Sequence, residues 1–178
     1  MWEVRPIGVV RSPYKERFGT PRQAVVTAGA MGEVAQEATL CLDPELIPAD
    51  ALRDLDGFEY VWVIAWLDRN VGWRPTVTPT RGPRVKRGLF ATRAPHRPNP
   101  IGLSALKVVG IEGHTIRVVG VDLLDETPIL DIKPYVPYAD AFPAARAGWL
   151  DALDGPIDGP DRPTAQPKRK RAAPGDGG

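Results

Sequence analysis

A mainly β domain with one or two short helices is the fold class that the 178-residue sequence predicts. Three observations carry that expectation. Phe58 to Leu67 (FEYVWVIAWL) is rich in β-branched and aromatic residues and almost continuously apolar, which suits a central buried strand. Gly32 to Leu42 alternates polar and apolar residues, as a strand with one wet face does. Ser104–Gly110 and Thr115–Val121 are strand-like runs joined by Ile111-Glu112-Gly113-His114, the pattern of a hairpin. This alternation fits a barrel and a sandwich alike.

The elements follow in order. Glu3 to Arg11 is β-rich and opens the fold, and Ser12-Pro13 breaks it. Tyr14 to Gln23 reads as a polar loop, with Phe18-Gly19 and Thr20-Pro21 as turn signals. Asp43 to Leu55 is the best helix candidate. Asp43 can cap it, Pro44 suits the first helical position, and Leu46, Ile47, Ala51, Leu52 and Leu55 recur at helical spacing. Pro48 delays the helix to about Ala49, and Gly57 ends it. Trp62 and Trp66 in the long strand read as core. Asp68-Arg69 follows at its end, and Asn70 to Lys86, rich in Gly and Pro, reads as an irregular flap.

Beyond the hairpin, whose His114 reads as a turn residue, Asp122 to Thr127 is an acidic turn and Ile129 to Ile132 a short strand. Pro134 to Pro137 ends regular structure, and Ala141 to Leu153 suggests a peripheral helix docked by Trp149 and Leu150. Residues 1–154 are therefore read as one domain. Residues 155–178, with five prolines, five glycines and the run Lys168-Arg169-Lys170-Arg171, read as a disordered basic tail.

Composition narrows the function. A single cysteine, Cys41, allows no intrachain disulfide, and no signal-peptide pattern opens the chain, so the expected location is cytoplasmic. No apolar run is long enough to span a bilayer as a helix. Two histidines and one cysteine offer no metal-ligand spacing, so no metal is expected. Neither GxGxxG nor a Walker loop is present. Net charge is only +1, but its distribution is uneven. Glu33 to Glu59 holds eight acids and one base, whereas Arg69 to Lys107 holds nine bases and no acid. Such a basic field attracts polyanions. It makes Arg74, Arg84, Lys86 and Arg87 candidates for RNA phosphate, with Trp66, Trp73 and Phe90 as aromatic neighbours.

Residues 88–104, GLFATRAPHRPNPIGLS, carry the strongest functional signal. Leu89-Phe90-Ala91 and Ile101-Gly102-Leu103 look like strand ends. Prolines at 95, 98 and 100 fix φ at alternate positions and stiffen the loop between them. Arg97 and Asn99 are thereby aimed without support from a helix or strand, and are the candidate catalytic residues. Arg97 suits a phosphate or a carboxylate. The Asn99 side-chain carbonyl could accept a hydrogen bond from an amino group. The bland alternative has Asn99 hydrogen-bonded to its own loop.

With Arg11-Ser12-Pro13-Tyr14, Pro21-Arg22-Gln23, Trp73-Arg74-Pro75 and Asp131-Ile132-Lys133-Pro134-Tyr135, this loop resembles the TsaA-like (TrmO) family, from about residue 5 to about residue 142. The resemblance implies a β-barrel rather than a Rossmann sheet, and a homodimer. It implies S-adenosylmethionine-dependent methylation of N6 of threonylcarbamoyl-adenosine at position 37, in the anticodon loop of tRNA. It also implies a cofactor site drawn from Pro21, Arg22, Gln23, Asp68, Arg69, Arg93, Leu103, Asp125, Glu126, Thr127 and Pro128. Lys133 and Tyr135 join the candidate RNA-binding residues. Family members carry histidine where Asp68 stands and glycine where Glu126 stands, and longer ones carry a further C-terminal domain. These departures keep two alternatives open: a methyltransferase of the same fold with another RNA or small-molecule acceptor, or an RNA- or nucleotide-binding module without catalysis.

Overall fold

A computed structural model describes residues 3–16 and 36–153 of the chain. Eight strands form among the described residues: β1 (Gly8–Arg11), β2 (Glu37–Leu42), β3 (Tyr60–Trp66), β4 (Thr76–Val77), β5 (Arg87–Gly88), β6 (Ile101–Glu112), β7 (Thr115–Val119) and β8 (Pro128–Pro134). Six close into an antiparallel barrel in the order β1-β2-β7-β6-β3-β8, and β4 and β5 make a separate two-stranded ribbon. The expected mainly β barrel is what forms.

Inward-facing residues alternate with outward ones along each strand, as closure requires. Val10, Leu40, Val61, Val63, Leu106, Ile116, Val118 and Ile129 are fully buried and, with Val121, fill the interior. Burial of each such side chain stabilises the fold by about 1.5–3 kcal/mol. At Gly8, an added Cβ would lie 2.2 Å from the Cys41 carbonyl oxygen, so only glycine lets β1 approach β2 this closely.

Closure also corrects the reading of β3. The strand is not buried on both faces: Val61, Val63 and Ala65 point in, whereas Trp62 and Trp66 point out. Trp62 packs on Tyr135, with ring centroids 5.4 Å apart, and its indole N–H donates to Asp140. Trp66 remains 36% exposed. A barrel of six strands has room inside for one face of each strand, and indoles go outside.

The short helix anticipated near Ala49 forms as 3-10 turns, and the peripheral helix anticipated over 141–153 is reduced to one 3-10 turn. The chain does turn at Asp43, whose carbonyl accepts from the Leu46 and Ile47 amides. Pro48 brings no donor, and Asp54 sits in the left-handed region (φ 64°), so only 3-10 turns form at Ala49–Leu52 and Leu55–Gly57. Over 141–153 the regular piece is a 3-10 turn, Gly148–Leu150, preceded by one helical turn, α1 (Pro137–Asp140). Gly148 at φ 65° breaks the helical path. Trp149 nonetheless docks as expected, donating through Nε1 to the Ala91 carbonyl. Leu89–Ala91 is a 3-10 turn rather than a strand end. The hairpin turn is tighter than expected: Glu112 pairs with Thr115, leaving Gly113-His114 at the tip, and His114 Nε2 lies 2.8 Å from the Ile47 carbonyl oxygen. None of the described helices is long and apolar enough to cross a membrane. The turn signals Phe18-Gly19 and Thr20-Pro21, the start of the Gly32–Leu42 run and the tail 155–178 lie outside the described residues.

Candidate functional site

The acidic turn after β7 is stitched to the segment after β1. The Asp125 amide donates to the Tyr14 carbonyl and the Glu126 amide to the Val10 carbonyl, both at 2.8 Å. The Ser12 hydroxyl donates to the Leu123 carbonyl at 2.8 Å. Asp125 itself is buried: one carboxylate oxygen accepts from the Ser12 amide at 3.0 Å, the other from Lys15 Nζ at 2.5 Å. The Lys15 hydrogen bond holds the Asp125 carboxyl below the usual carboxylate range, aided by the Ser12 amide and opposed by burial. Glu126 occupies φ 66° and pairs with Arg11. A glycine adopts that backbone without a Cβ penalty, so the family's glycine at this position has a geometric reason.

Arg69 is turned toward this cluster. Its guanidinium donates to the Lys15 carbonyl at 3.0 Å and to the Asp125 carbonyl at 3.1 Å, tying the corner after β3 to both segments. The same corner meets the proline loop, because the Leu67 amide donates to the Pro100 carbonyl at 2.7 Å. Asp68 is exposed there. Thus Asp68, Arg69, Asn99-Pro100 and the turn Asp125-Glu126-Thr127-Pro128, distant in sequence, converge at one end of the barrel.

Within the loop the two candidate side chains differ. Arg97 folds back, with Nη1 donating to the Thr92 and Ala94 carbonyls at 3.1 and 3.3 Å and its guanidinium 5.5 Å from the Phe90 ring centroid. It is a clamp on its own loop. Asn99 is exposed; its main-chain carbonyl accepts from the Ile101 amide, and its side chain engages no partner among the described residues. The self-bonded alternative for Asn99 is not the arrangement seen. Arg93 is also exposed without a partner among the described residues. Leu103, on the outer face of β6 opposite Ile64, is 56% exposed.

Arg74, Arg84 and Lys86 lie exposed in and beside the β4–β5 ribbon, whereas Arg87 stacks on Trp149 at 5.1 Å. Lys133 and Tyr135 stand at the other end of β3. Lys133 pairs with Asp131, and Tyr135 packs against Tyr60 and Trp62. Pro21, Arg22 and Gln23 lie outside the described residues. Sequence reasoning missed Ser12 and Lys15 as builders of the site. Their signals were position, directly after β1 and beside the break at Pro13, and, for Ser12, its place in the Arg11-Ser12-Pro13-Tyr14 motif.

Asp125 gives a pH test. A folded-state pKa below the unfolded value contributes stability that is complete above the ordinary carboxylate range and lost as pH falls through the lowered value. Asp125→Asn keeps an acceptor for Ser12 but loses the charge facing Lys15. Its Tm is expected to lie below native at neutral pH, with the gap closing below about pH 4. A gap constant down to acid unfolding would exclude the ion pair as its source.

The profile of the tRNA-methyltransferase O N-terminal domain matches residues 9–141. The tRNA (adenine(37)-N6)-methyltransferase of Escherichia coli (strain K12) is 41% identical over 158 residues, 85% of this chain and 65% of that protein. A probable S-adenosyl-L-methionine-binding protein of Methanothermobacter thermautotrophicus is 41% identical over 142 residues, 78% of this chain and 93% of that protein. The crystal structure of TrmO from Pseudomonas aeruginosa shares the fold with a TM-score of 0.68 at 40% identity, over 85% of this chain and 64% of that one. The chain thus spans slightly less than two thirds of those two bacterial relatives. Its barrel, its convergent loops and a profile match across most of its length agree: the chain belongs to the tRNA-methyltransferase O N-terminal domain family.

Proposed function

We propose that the chain is an S-adenosylmethionine-dependent methyltransferase acting on N6 of threonylcarbamoyl-adenosine at position 37 of tRNA. The observation that carries this reading is Asn99: an exposed side chain without a partner among the described residues, on a backbone fixed by flanking prolines, at the convergence of three loops. Family membership and the name of the E. coli relative support the acceptor. A methyltransferase with another acceptor, or a binding module without catalysis, lacks comparable support.

The residues present fit the cofactor in kind. Arg93 has a guanidinium available for the methionine carboxylate. Leu103 offers exposed apolar surface for an adenine face. Asp68 contributes a carboxylate at the same corner as Asp125 to Pro128, and Pro21, Arg22 and Gln23 complete the proposed set. Asp125 and Arg69, whose polar atoms are engaged with the protein, act by holding this site in shape. Bound S-adenosylmethionine supplies an electrophilic methyl group on its sulfonium. The exocyclic amine of adenosine is a weak nucleophile, its lone pair delocalised into the ring. Accepting the single N6–H of the threonylcarbamoyl nucleoside at the Asn99 side-chain oxygen would turn that lone pair outward; as the methyl carbon joins N6 and leaves sulfur, this proton passes to solvent at the exposed loop. Holding reactants in line contributes several kcal/mol, on the order of 7–11 at best. Arg97 keeps the loop shape, and its remaining nitrogens suit a phosphate or the threonyl carboxylate.

The exposed ribbon bases Arg74, Arg84 and Lys86, with Arg87 beside them, are proposed to meet RNA phosphate. Lys133 and Tyr135, at the far end of β3, would add only distant contacts. Two copies are proposed to pair over the outer face of β3 and β6, where Trp66 and Ile101, cross-strand neighbours, expose adjacent apolar side chains. The proposed location is cytoplasmic, which accords with the tRNA-modifying activity named for the E. coli relative.

Nucleoside mass spectrometry of tRNA incubated with the protein and labelled cofactor tests the reaction. Methyl on N6 of the position-37 nucleoside is expected; methyl elsewhere, or none, overturns it. In single turnover, Asn99→Ala should slow transfer by about a hundredfold while cofactor affinity stays within a few-fold. An unchanged rate removes Asn99 from the chemistry. Neutralising Arg74, Arg84, Lys86 and Arg87 together should flatten the slope of log affinity against log salt by up to about three; an unchanged slope removes the ribbon from phosphate contact. Ile101→Asp should convert a sedimenting dimer to monomer, and a native chain that sediments as monomer refutes the pairing.

A further inference from the structure

We propose that Phe90 is a stacking platform for a nucleotide flanking the target adenosine. The inference rests on the RNA reading above and adds a recognition residue to it. Phe90 is 79% exposed, although the turn that carries it is pinned on every side. Leu89 before it is buried, and its amide donates to the Pro75 carbonyl at 2.9 Å. The Thr92 hydroxyl and amide both donate to the Leu89 carbonyl, at 2.8 and 3.1 Å. Trp149 Nε1 donates to the Ala91 carbonyl at 2.8 Å. The backbone therefore holds a large ring out in solvent with little freedom left to lose on binding.

The ring has one occupied face. Arg97 lies over it at 5.5 Å, and Arg97 is itself fixed by the Thr92 and Ala94 carbonyls. Trp73, Tyr138 and Phe142 are also exposed, but among the described residues only Phe90 and Trp149 carry a stacked guanidinium. Trp149 is half-buried. A cation fixed behind an exposed ring disfavours an apolar protein partner and favours a base whose phosphate is near. The surrounding sequence, without an acid from Arg69 to Lys107, supplies the matching charge. Arg97 is two residues from Asn99, about 7 Å of extended chain. A base held at Asn99 and a base stacked on Phe90 are thus separated by one side chain and two residues, which suits neighbouring nucleotides of an opened loop.

The test uses full-length protein and anticodon stem-loop RNAs that carry 2-aminopurine on either side of the target adenosine. One of the two probes is expected to change fluorescence on binding native protein. Phe90→Leu keeps apolar volume but removes the aromatic face. It should bind about five- to one-hundredfold more weakly and lose the fluorescence change, with salt slope and S-adenosylmethionine affinity unaltered. Phe90→Trp should restore both signals. Native binding and methylation combined with a Phe90→Leu variant of equal affinity and equal fluorescence would overturn the platform while leaving the proposed reaction standing. A Phe90→Leu defect accompanied by a changed sedimenting mass or weakened cofactor binding would also overturn it, because the ring would then serve a dimer or the cofactor. Native protein that neither binds nor methylates the stem-loop would remove the RNA reading itself.

Discussion

Closing the barrel is the constraint on which the rest depends. β1 and β8 meet over only two register pairs, Gly8 with Ile129 and Val9 with Pro128, whereas β3 pairs with β6 along its whole length. So short a seam does not by itself exclude water from the barrel end. It is completed by non-strand hydrogen bonds: Val10 with Thr127 and Glu126, Tyr14 with Asp125, Ser12 with Asp125 and Leu123. Most of these bonds come from the turn that contains the proposed cofactor residues. Stability and site geometry are therefore set by the same few groups, and Asp125 is buried because it closes the seam.

The polar groups of these segments and of the proline loop divide by whether their partners are taken. Asp125, Lys15, Arg69 and one nitrogen of Arg97 are satisfied within the protein. Asn99 and Arg93 are not, among the described residues. A polar group already bonded resists displacement, whereas an exposed one exchanges water for ligand at little net cost. The satisfied set fixes where the loops stand, and the unsatisfied set faces outward from them. In the proposed cofactor site, preorganisation of this kind would take the place of the Gly-rich strand–helix turn of dinucleotide-binding folds, a motif this sequence lacks.

Much of this was legible in the sequence, and the failures have physical causes. The β-branched run became β3, the Ser104–Val121 pattern became β6 and β7, and two of the family motifs, Arg11-Ser12-Pro13-Tyr14 and the proline loop, marked segments that converge, whereas Asp131-Ile132-Lys133-Pro134-Tyr135 leads to the far end of β3. The helical pieces stay at single 3-10 turns because helical spacing at 43–55 competes with Pro48 and a left-handed Asp54, and at 141–153 with Gly148. Trp62 and Trp66 were misplaced because continuous apolarity does not reveal that one face of a strand points out of a small barrel. The inward turn of Arg97 and Arg69 left no trace in composition, since a clamping arginine and a ligand-binding arginine are the same residue until carbonyls are placed around them.

Glu126 shows how a departure from the family pattern is absorbed. A non-glycine residue at φ 66° costs about 1–2 kcal/mol relative to ordinary backbone. Its ion pair with Arg11 joins two half-exposed side chains, and exposed pairs contribute about 0–1 kcal/mol, so the pair alone does not offset the strain. Each backbone hydrogen bond of the seam contributes about 1 kcal/mol, and several converge on this turn, which suffices. The turn therefore keeps the shape a glycine would give it. What changes is charge: the Glu126 carboxylate is drawn to Arg11 on the β1 side, where its negative charge is neutralised locally. The substitution thus alters the periphery of the turn and leaves its backbone, to which Arg69 is bonded, in place.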